Sequence, residues 1–271
     1  MTVLICVSGM PYAQATVALG SMVAELRDSS VALLKVVGHA DEEETAVSML
    51  QEASQIIPLA VEETAVTLGI PAKEILRKAE SGNYDLVVVG AHAIRNLWDQ
   101  FLQSITRKVA NQANVSVLIA RGESVQFKRI LISTSGYANS VQVVEAGTAL
   151  AKAAKAKVTL LHVAESIPGM YTGLGEMEET LPELLQTDTP LAHHLKWGAE
   201  HLLQAQVTAE LKLRRGITAD EVLAEAQEES CDLIVVGARA EYNVFSSLLI
   251  GHVTPKIIDN APCSVLVVRG E

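Results

Sequence analysis

Gly237-Ala238-Arg239 follows a short apolar run, and Gly251-His252-Val253-Thr254 begins a helical pattern after a polar stretch. The run itself, Asp232-Leu-Ile-Val-Val-Gly237, reads as a buried strand ending on a glycine. A strand end, a loop and a helix start leave backbone N–H groups facing a gap where an anion is favoured. Arg239 would point a guanidinium at that gap, and Thr254 would bring a hydroxyl to it. An earlier copy begins at Asp85-Leu-Val-Val-Val-Gly90, with His92 in the place of Arg239 and Gln103-Ser104 in the place of Gly251-His252. The chemistry these residues offer is the holding of a phosphate.

Residues for bond-making chemistry are harder to find. Ser8-Gly9 and Ser135-Gly136 sit on strand-to-helix turns, but neither serine lies in Gly-x-Ser-x-Gly. The glycine loops match neither Gly-x-x-x-x-Gly-Lys-Ser/Thr nor Gly-x-Gly-x-x-Gly, which argues against a P-loop NTPase and a dinucleotide enzyme. No serine or cysteine can be paired with a general base, so no catalytic residue is assigned. His193, His194 and His201 fall on one expected helix, where His194 and His201 share a face, but no third ligand has metal-site spacing. Glu176, Glu178 and Glu179 read as a solvated charge cluster.

The elements that must position these residues alternate along the chain. Thr2–Val7 and Val31–Val37 are apolar strands, and Tyr12–Arg27 between them has helical spacing. Asp41-Glu-Glu-Glu opens the next helix with carboxylates at its positive end, and Pro58 stops it. Val61–Leu68 is expected as a third strand, and Pro71 stands in the first turn of the following helix. Leu86–Val89, the helix Phe101–Gln112 and the strand Val115–Ala120 complete the first half. After a polar linker the pattern starts again.

Gly136 stands 127 residues after Gly9, and Leu160-Leu-His-Val163 follows Leu33-Leu-Lys-Val36 by the same interval. Gly216-Ile-Thr-Ala-Asp-Glu-Val repeats Gly69-Ile-Pro-Ala-Lys-Glu-Ile at 147, so 20 residues are added between these landmarks, within Glu165–Pro190. Val265-Leu-Val-Val-Arg-Gly-Glu271 repeats Val117-Leu-Ile-Ala-Arg-Gly-Glu123 at 148. The order of landmarks means tandem duplication, with domains expected over residues 1–122 and 127–271. Each half reads β-α-β-α-β-α-β-α-β, which gives a parallel sheet with helices on both faces. Ligands in such sheets bind outside the carboxyl ends of the strands, where strand order reverses. Ser8, Gly9, Gly90, Ser135, Gly136, Val163 and Gly237 all stand at such ends.

Composition narrows the function further. The 271 residues are 49% hydrophobic but only 4% aromatic, so aliphatic side chains must fill the core. A mean hydropathy of +0.26 argues for a globular chain. The net charge of −11 argues against nucleic-acid binding and requires any anion to be held locally. No apolar run is long enough for a membrane span, and the first residues look like a strand rather than a signal peptide. Cys6, Cys231 and Cys263 are far apart in apolar surroundings and are expected as buried, reduced thiols. A cytoplasmic location follows as the default.

With these landmarks in place, the chain resembles the universal stress protein family in its tandem two-domain form. The best local match is Asp232-Leu-Ile-Val-Val-Gly-Ala-Arg, continuing to Leu-Leu-Ile-Gly251 and closing with Asn260-Ala-Pro-Cys-Ser-Val-Leu-Val-Val-Arg269. The resemblance implies two Rossmann-like, adenine nucleotide alpha hydrolase-like α/β domains with five-stranded parallel sheets, packed with pseudo-twofold symmetry. It implies a stress-response regulatory protein that binds ATP, ADP or AMP, with Mg²⁺ as a possible companion of the nucleotide, and at most weak hydrolysis. It also implies intramolecular pairing of the domains through their last strands, and a possible homodimer.

The family's nucleotide-binding pattern has three glycines, a hydroxyl residue after the third, and an acidic residue at the end of the first strand. Here Ala240 and Ala93 replace the second glycine, His252 replaces the hydroxyl residue, and Ser8 and Ser135 replace the acid. The second half keeps two glycines, so the expected site there is Ser135, Gly136, Val163, Gly237, Ala238, Arg239, Gly251, His252, Val253 and Thr254. In the first half, Ser8, Gly9, Gly90, His92 and Ser104 form the weaker copy. The alternative reading is an interaction or scaffold protein whose nucleotide sites have decayed.

Overall fold

The computed structural model describes residues 1–10, 13–91, 97–122, 124–137, 140–164, 180–238 and 253–270, without the side chains of 97–102. The first half runs β1 (Thr2–Cys6), α1 (Gln14–Leu26), β2 (Ser30–Val37), α2 (Glu43–Ile56), β3 (Val61–Leu68), α3 (Pro71–Ser81), β4 (Tyr84–Gly90), α4 (Leu97–Gln112) and β5 (Ser116–Ala120). The second half runs β6 (Arg129–Thr134), α5 (Val141–Ala154), β7 (Lys157–Ala164), α6 (Leu181–Gln186), α7 (Pro190–Gln204), β8 (Ala209–Arg215), α8 (Thr218–Glu228), β9 (Leu233–Gly237), α9 (Val253–Asn260) and β10 (Ser264–Val268). This is the expected α/β alternation. The inserted segment, which the sequence leaves without structure, contributes α6, whose start carries a capping box of Thr180 and Glu183.

The chain divides into two compact units, one of residues Met1–Gln126 with Cys263–Arg269 and one of residues Phe127–Pro262 with Gly270. In the first unit β1 pairs in parallel with β2 and β4, β2 with β3, and β4 with β5. Strand order therefore reverses at β1, and a crevice opens beyond its carboxyl end. In the second unit β6 pairs in parallel with β7 and β9, and β7 with β8. The strands are near-continuous apolar runs because helices cover both faces; Val3, Leu4, Ile5, Leu131 and Ile132 are fully buried.

Helices approach the sheet closely at one repeated position. A methyl group added at Gly20 would come within 2.7 Å of Ile5 Cδ1, and one at Gly147 within 2.5 Å of Ile132 Cδ1. Gly69 and Gly216 take φ of +150° and +148°, a backbone conformation that other residues rarely adopt. Their N–H groups donate to the carbonyls at the ends of β2 and β7, Val37 at 2.9 Å and Ala164 at 3.1 Å. Each thus turns the chain into the helix that follows.

The last strand, β10, lies antiparallel to β5 in the first unit, with Val265, Leu266 and Val267 opposite Ile119, Leu118 and Val117. The backbone N–H of Arg121 donates to Ser264 Oγ and that of Arg269 to Ser116 Oγ, both at 3.1 Å. Arg269 Nη2 also donates to the carbonyls of Ala110 and Asn111 at 3.1 and 2.6 Å, where the end of α4 favours a cation. Replacing Arg269 with alanine should therefore destabilise the chain by about 2 kcal/mol. A urea midpoint within error of the wild type would show that these bonds contribute nothing.

In the second unit an ion-pair cluster ties β8 to α8. Lys212 Nζ lies 2.8 Å from Glu225 and 2.8 Å from Glu229, and Arg214 bonds Glu221, Glu225 and Glu228 at 2.7 to 2.9 Å. Glu225 is the buried member, its side chain 4% exposed. Among the described residues no helix is long and apolar enough to cross a membrane. All three cysteines are reduced and buried.

Candidate functional site

The carboxyl ends of β1, β2 and β4 in the first unit border a cavity of about 560 Å³, which α2, α3 and α4 also line. That is within the range of roughly 300–1,000 Å³ typical of small-molecule sites. Its walls are largely aliphatic, including Val7, Val36, Val37, Ile75, Val89 and Ile105, and Ser8 and Gly90 bound it at the strand ends. A methyl group added at the neighbouring Gly9 would meet none of the described residues within 4 Å. The floor includes Cys6, whose thiol burial pushes up to about 12, so it is protonated and unsuited to attack.

Among the described residues one cation lines this cavity, Lys35 on β2, and its Nζ donates to the carbonyl of Ser8. Burial lowers the Lys35 pKa, and the charge of Glu42 acts against that shift. Glu42 is held at the rim by the N–H of Gly38 at 2.9 Å and that of His39 at 3.4 Å, and these bonds keep its carboxyl below the usual range. Asp41 also lines the rim. The cavity therefore carries an ammonium inside and carboxylates outside, between apolar walls.

The end of β6 in the second unit is built differently. His162 Nδ1 lies 3.1 Å from the carbonyl of Thr134, and His194 Nε2, from α7, lies 2.8 Å from the Thr134 hydroxyl. The N–H of Ser135 donates to Ser140 Oγ at 3.0 Å, and that of Gly136 to Thr134 Oγ1 at 3.2 Å. Gly136 takes φ of +80°, and a methyl group there would overlap Leu191 of α7. Leu191, His162 and His194 thus cover this strand end, whereas no described residue stands over Gly9 in the first unit. In the first unit α2 lines the cavity with Thr45 and Ala46, whereas in the second α7 brings Leu191 to Gly136 and His194 to Thr134.

Burial lowers the pKa of His162, partly offset by its bond to the Thr134 carbonyl; burial lowers that of His194 too, and the charge of His162 adds to it. Both rings are harder to protonate in the fold than in the unfolded chain, so the unfolded chain takes up protons first. Stability should be full above the ordinary value of 6.5 and fall as pH drops through it. Denaturant midpoints from pH 7.5 to 5.5 check this: a His162→Asn, His194→Gln pair should flatten the decline, and an equally steep decline would refute the assignment.

The glycine loops divide between described and undescribed residues. Arg239, Gly251, His252 and His92 lie outside the described residues. Gly237 ends β9 and Val253 opens α9, and the Thr254 hydroxyl donates to the Gly237 carbonyl at 3.0 Å. Thr106 does the same to Gly90, also at 3.0 Å. These hydroxyl protons tie the helix to the strand end rather than point into the phosphate gap. Ser104 is exposed and off the cavity wall, which α4 lines with Ile105 and Thr106 instead. Val163 is buried at the end of β7. His194 and His201 do share a face, but they flank Trp197, with ring centroids 5.5 and 5.4 Å away. Among the described residues no group of three or more His, Cys, Asp or Glu side chains could hold a metal.

Sequence reasoning missed Lys35 and Glu42. Lys35 was legible as a repeat landmark, and its difference from His162 at the same repeat position was the available signal. Glu42 was read only as a helix-start charge.

A β1–β4 crevice at a strand-order reversal, present in a duplicated α/β chain, defines the class of fold. The family profile for "Universal stress protein family" matches residues 1–121 and again 126–269. The chain belongs to the universal stress protein family, and does so twice over. A universal stress protein of Methanocaldococcus jannaschii is 28% identical over 152 residues, which is 56% of this chain and 87% of the relative. One from Thermus aquaticus is 32% identical over 144 residues, 53% of this chain and 99% of the relative. The crystal structure of a universal stress protein from Archaeoglobus fulgidus covers 99% of this chain and 98% of its own, with a TM-score of 0.71 at 18% identity. The tandem fold is thus shared along the full length.

Proposed function

We propose that this chain is a regulatory protein of the stress response that works by binding a purine nucleotide, the adenine nucleotides being those its family resemblance implies. The observation that carries the reading is the first-unit cavity at the carboxyl ends of β1, β2 and β4. A flat base fits between aliphatic walls, and a phosphate chain leaving past Gly90 would run toward the start of α4. The glycines rank the second copy higher, through Gly237, Ala238, Arg239, Gly251, His252, Val253 and Thr254. The room at the strand end ranks the first copy higher, since Leu191 covers Gly136.

The test is direct. Mass spectrometry of the purified protein should find retained nucleotide, and thermal unfolding should shift upward with millimolar ATP, ADP or GDP. A ligand at 100 times its dissociation constant stabilises by about 2.7 kcal/mol. Absence of both retained nucleotide and shift removes the reading.

A second reading is an interaction protein whose nucleotide sites have decayed. It is favoured by the covered end of β6 and by the Thr106 and Thr254 hydroxyls being turned to strand carbonyls. The pairing of β10 with β5 supports a further proposal, that the halves join through their last strands as the domains of a cytoplasmic protein over residues 1–122 and 127–271. Homodimerisation would add to that pairing, and sedimentation would detect it.

A further inference from the structure

The two repeats differ most sharply at one strand position. Lys35 in Leu33-Leu-Lys-Val36 and His162 in Leu160-Leu-His-Val163 stand at matching places, and each reaches the backbone at the end of the first strand of its unit. In the second unit the position holds an imidazole, 8% exposed, which like Leu191 lies against Gly136. In the first it holds an ammonium on the wall of a cavity.

An ammonium has three N–H donors. Lys35 gives one to the Ser8 carbonyl. The side chains around it in the cavity are mostly aliphatic, while the carboxylates of Asp41 and Glu42 stand at the exposed rim. A ligand filling this cavity must therefore bring hydrogen-bond acceptors to Lys35, and its donors belong at the rim. Acceptors brought to Lys35 would offset the burial that lowers its pKa.

Purines differ in this respect. Guanine and hypoxanthine carry two adjacent acceptors, O6 and N7, which a lysine can engage together. Adenine carries an amino group beside N7, so its N–H donors would face the ammonium. Guanine also carries N1–H and N2–H donors on its other edge, suited to carboxylates such as Asp41 and Glu42.

We propose that Lys35 sets the ligand of the first-unit cavity, selecting a 6-oxopurine nucleotide, with guanine or hypoxanthine as its base, over an adenine nucleotide. The inference rests on the nucleotide reading of that cavity and specifies which base it takes.

Isothermal titration of the full chain with GMP and with AMP tests it. GMP should bind roughly tenfold more tightly, the lower range of discrimination by one such pairing. Lys35→Met should abolish the preference by weakening GMP while leaving AMP unchanged or improved, and Lys35→Arg should keep it. If the wild-type chain binds AMP as tightly as GMP or tighter, the assignment is wrong and the nucleotide reading stands. A preference that survives in Lys35→Met also overturns it. If neither nucleotide binds, the nucleotide reading fails and this inference fails with it. The wild-type comparison decides the matter even where a variant does not fold.

Discussion

Replacing Ala46 with phenylalanine should leave the chain folded and abolish its stabilisation by nucleotide. Ala46 lies on α2, is 1% exposed, and its side chain lines the first-unit cavity. A benzyl group there has an existing space to enter, so the overpacking cost should stay near the lower end of about 1–3 kcal/mol. The same group removes the room that a base would use. A shift worth about 2.7 kcal/mol for the wild type, at 100 times the dissociation constant, should fall to nothing. Ser104→Ala is the matched control, because Ser104 is exposed and not on the wall. If Ala46→Phe keeps the full thermal shift while folding normally, the ligand sits elsewhere, and the glycine loop of the second half becomes the site to test.

The second large effect concerns stability. Glu225 accepts from Lys212 at 2.8 Å on one oxygen and from Arg214 at 2.7 Å on the other, in a position 4% exposed. Its loss leaves two cations without their shared buried partner, a change that costs about 3–5 kcal/mol. The lower end is expected for Glu225→Ala, since Lys212 keeps Glu229 and Arg214 keeps Glu221 and Glu228. Urea unfolding at pH 7 measures it, and a loss below about 0.5 kcal/mol would place the cluster among ordinary surface pairs.

The cluster also fixes a direction of pH dependence. Burial pushes the Glu225 carboxyl up, and the bonds from Lys212 and Arg214 outweigh it, leaving the group below its ordinary value of 4.5. Its contribution is therefore full above 4.5 and is lost as pH falls toward and through the lower folded value. Glu225→Gln should unfold with a weaker pH dependence in this acid range than the wild type. This acid step lies below the one expected from His162 and His194, so a pH series separates them.

How much was legible varies from element to element. Val61–Leu68 was expected as a strand from its alternation and is β3 with those bounds. The helix expected at Phe101–Gln112 begins earlier, at Leu97, because its first turn is polar and aromatic and lacks a clear periodic start. Glu165–Pro190 carried Gly, Pro and Thr without periodicity, yet its later part folds as α6, where the Thr180–Glu183 capping box is a local signal that was passed over. The β8–α8 cluster escaped because Lys212 and Arg214 meet Glu221, Glu225 and Glu228 only after the chain turns back on itself. Thr254 was read as a phosphate ligand since its distance from Gly251 is short in sequence, but its hydroxyl proton goes to Gly237.

The sequence by itself determined the duplication, the α/β alternation and the positions of the strand ends. These are written in local periodicity and in landmarks repeated at constant intervals, and neither needs a partner far along the chain. Among the described residues, tertiary structure decided which side chains stand over each strand end. That depends on the helix packed across it: α2 brings Ala46 beside Ser8 and Lys35, whereas α7 brings Leu191 and His194 over Gly136 and Thr134. Glycine spacing measures how closely a phosphate can approach a loop. The volume left for the rest of the nucleotide is set by side chains from another element, and only the packed fold brings them together.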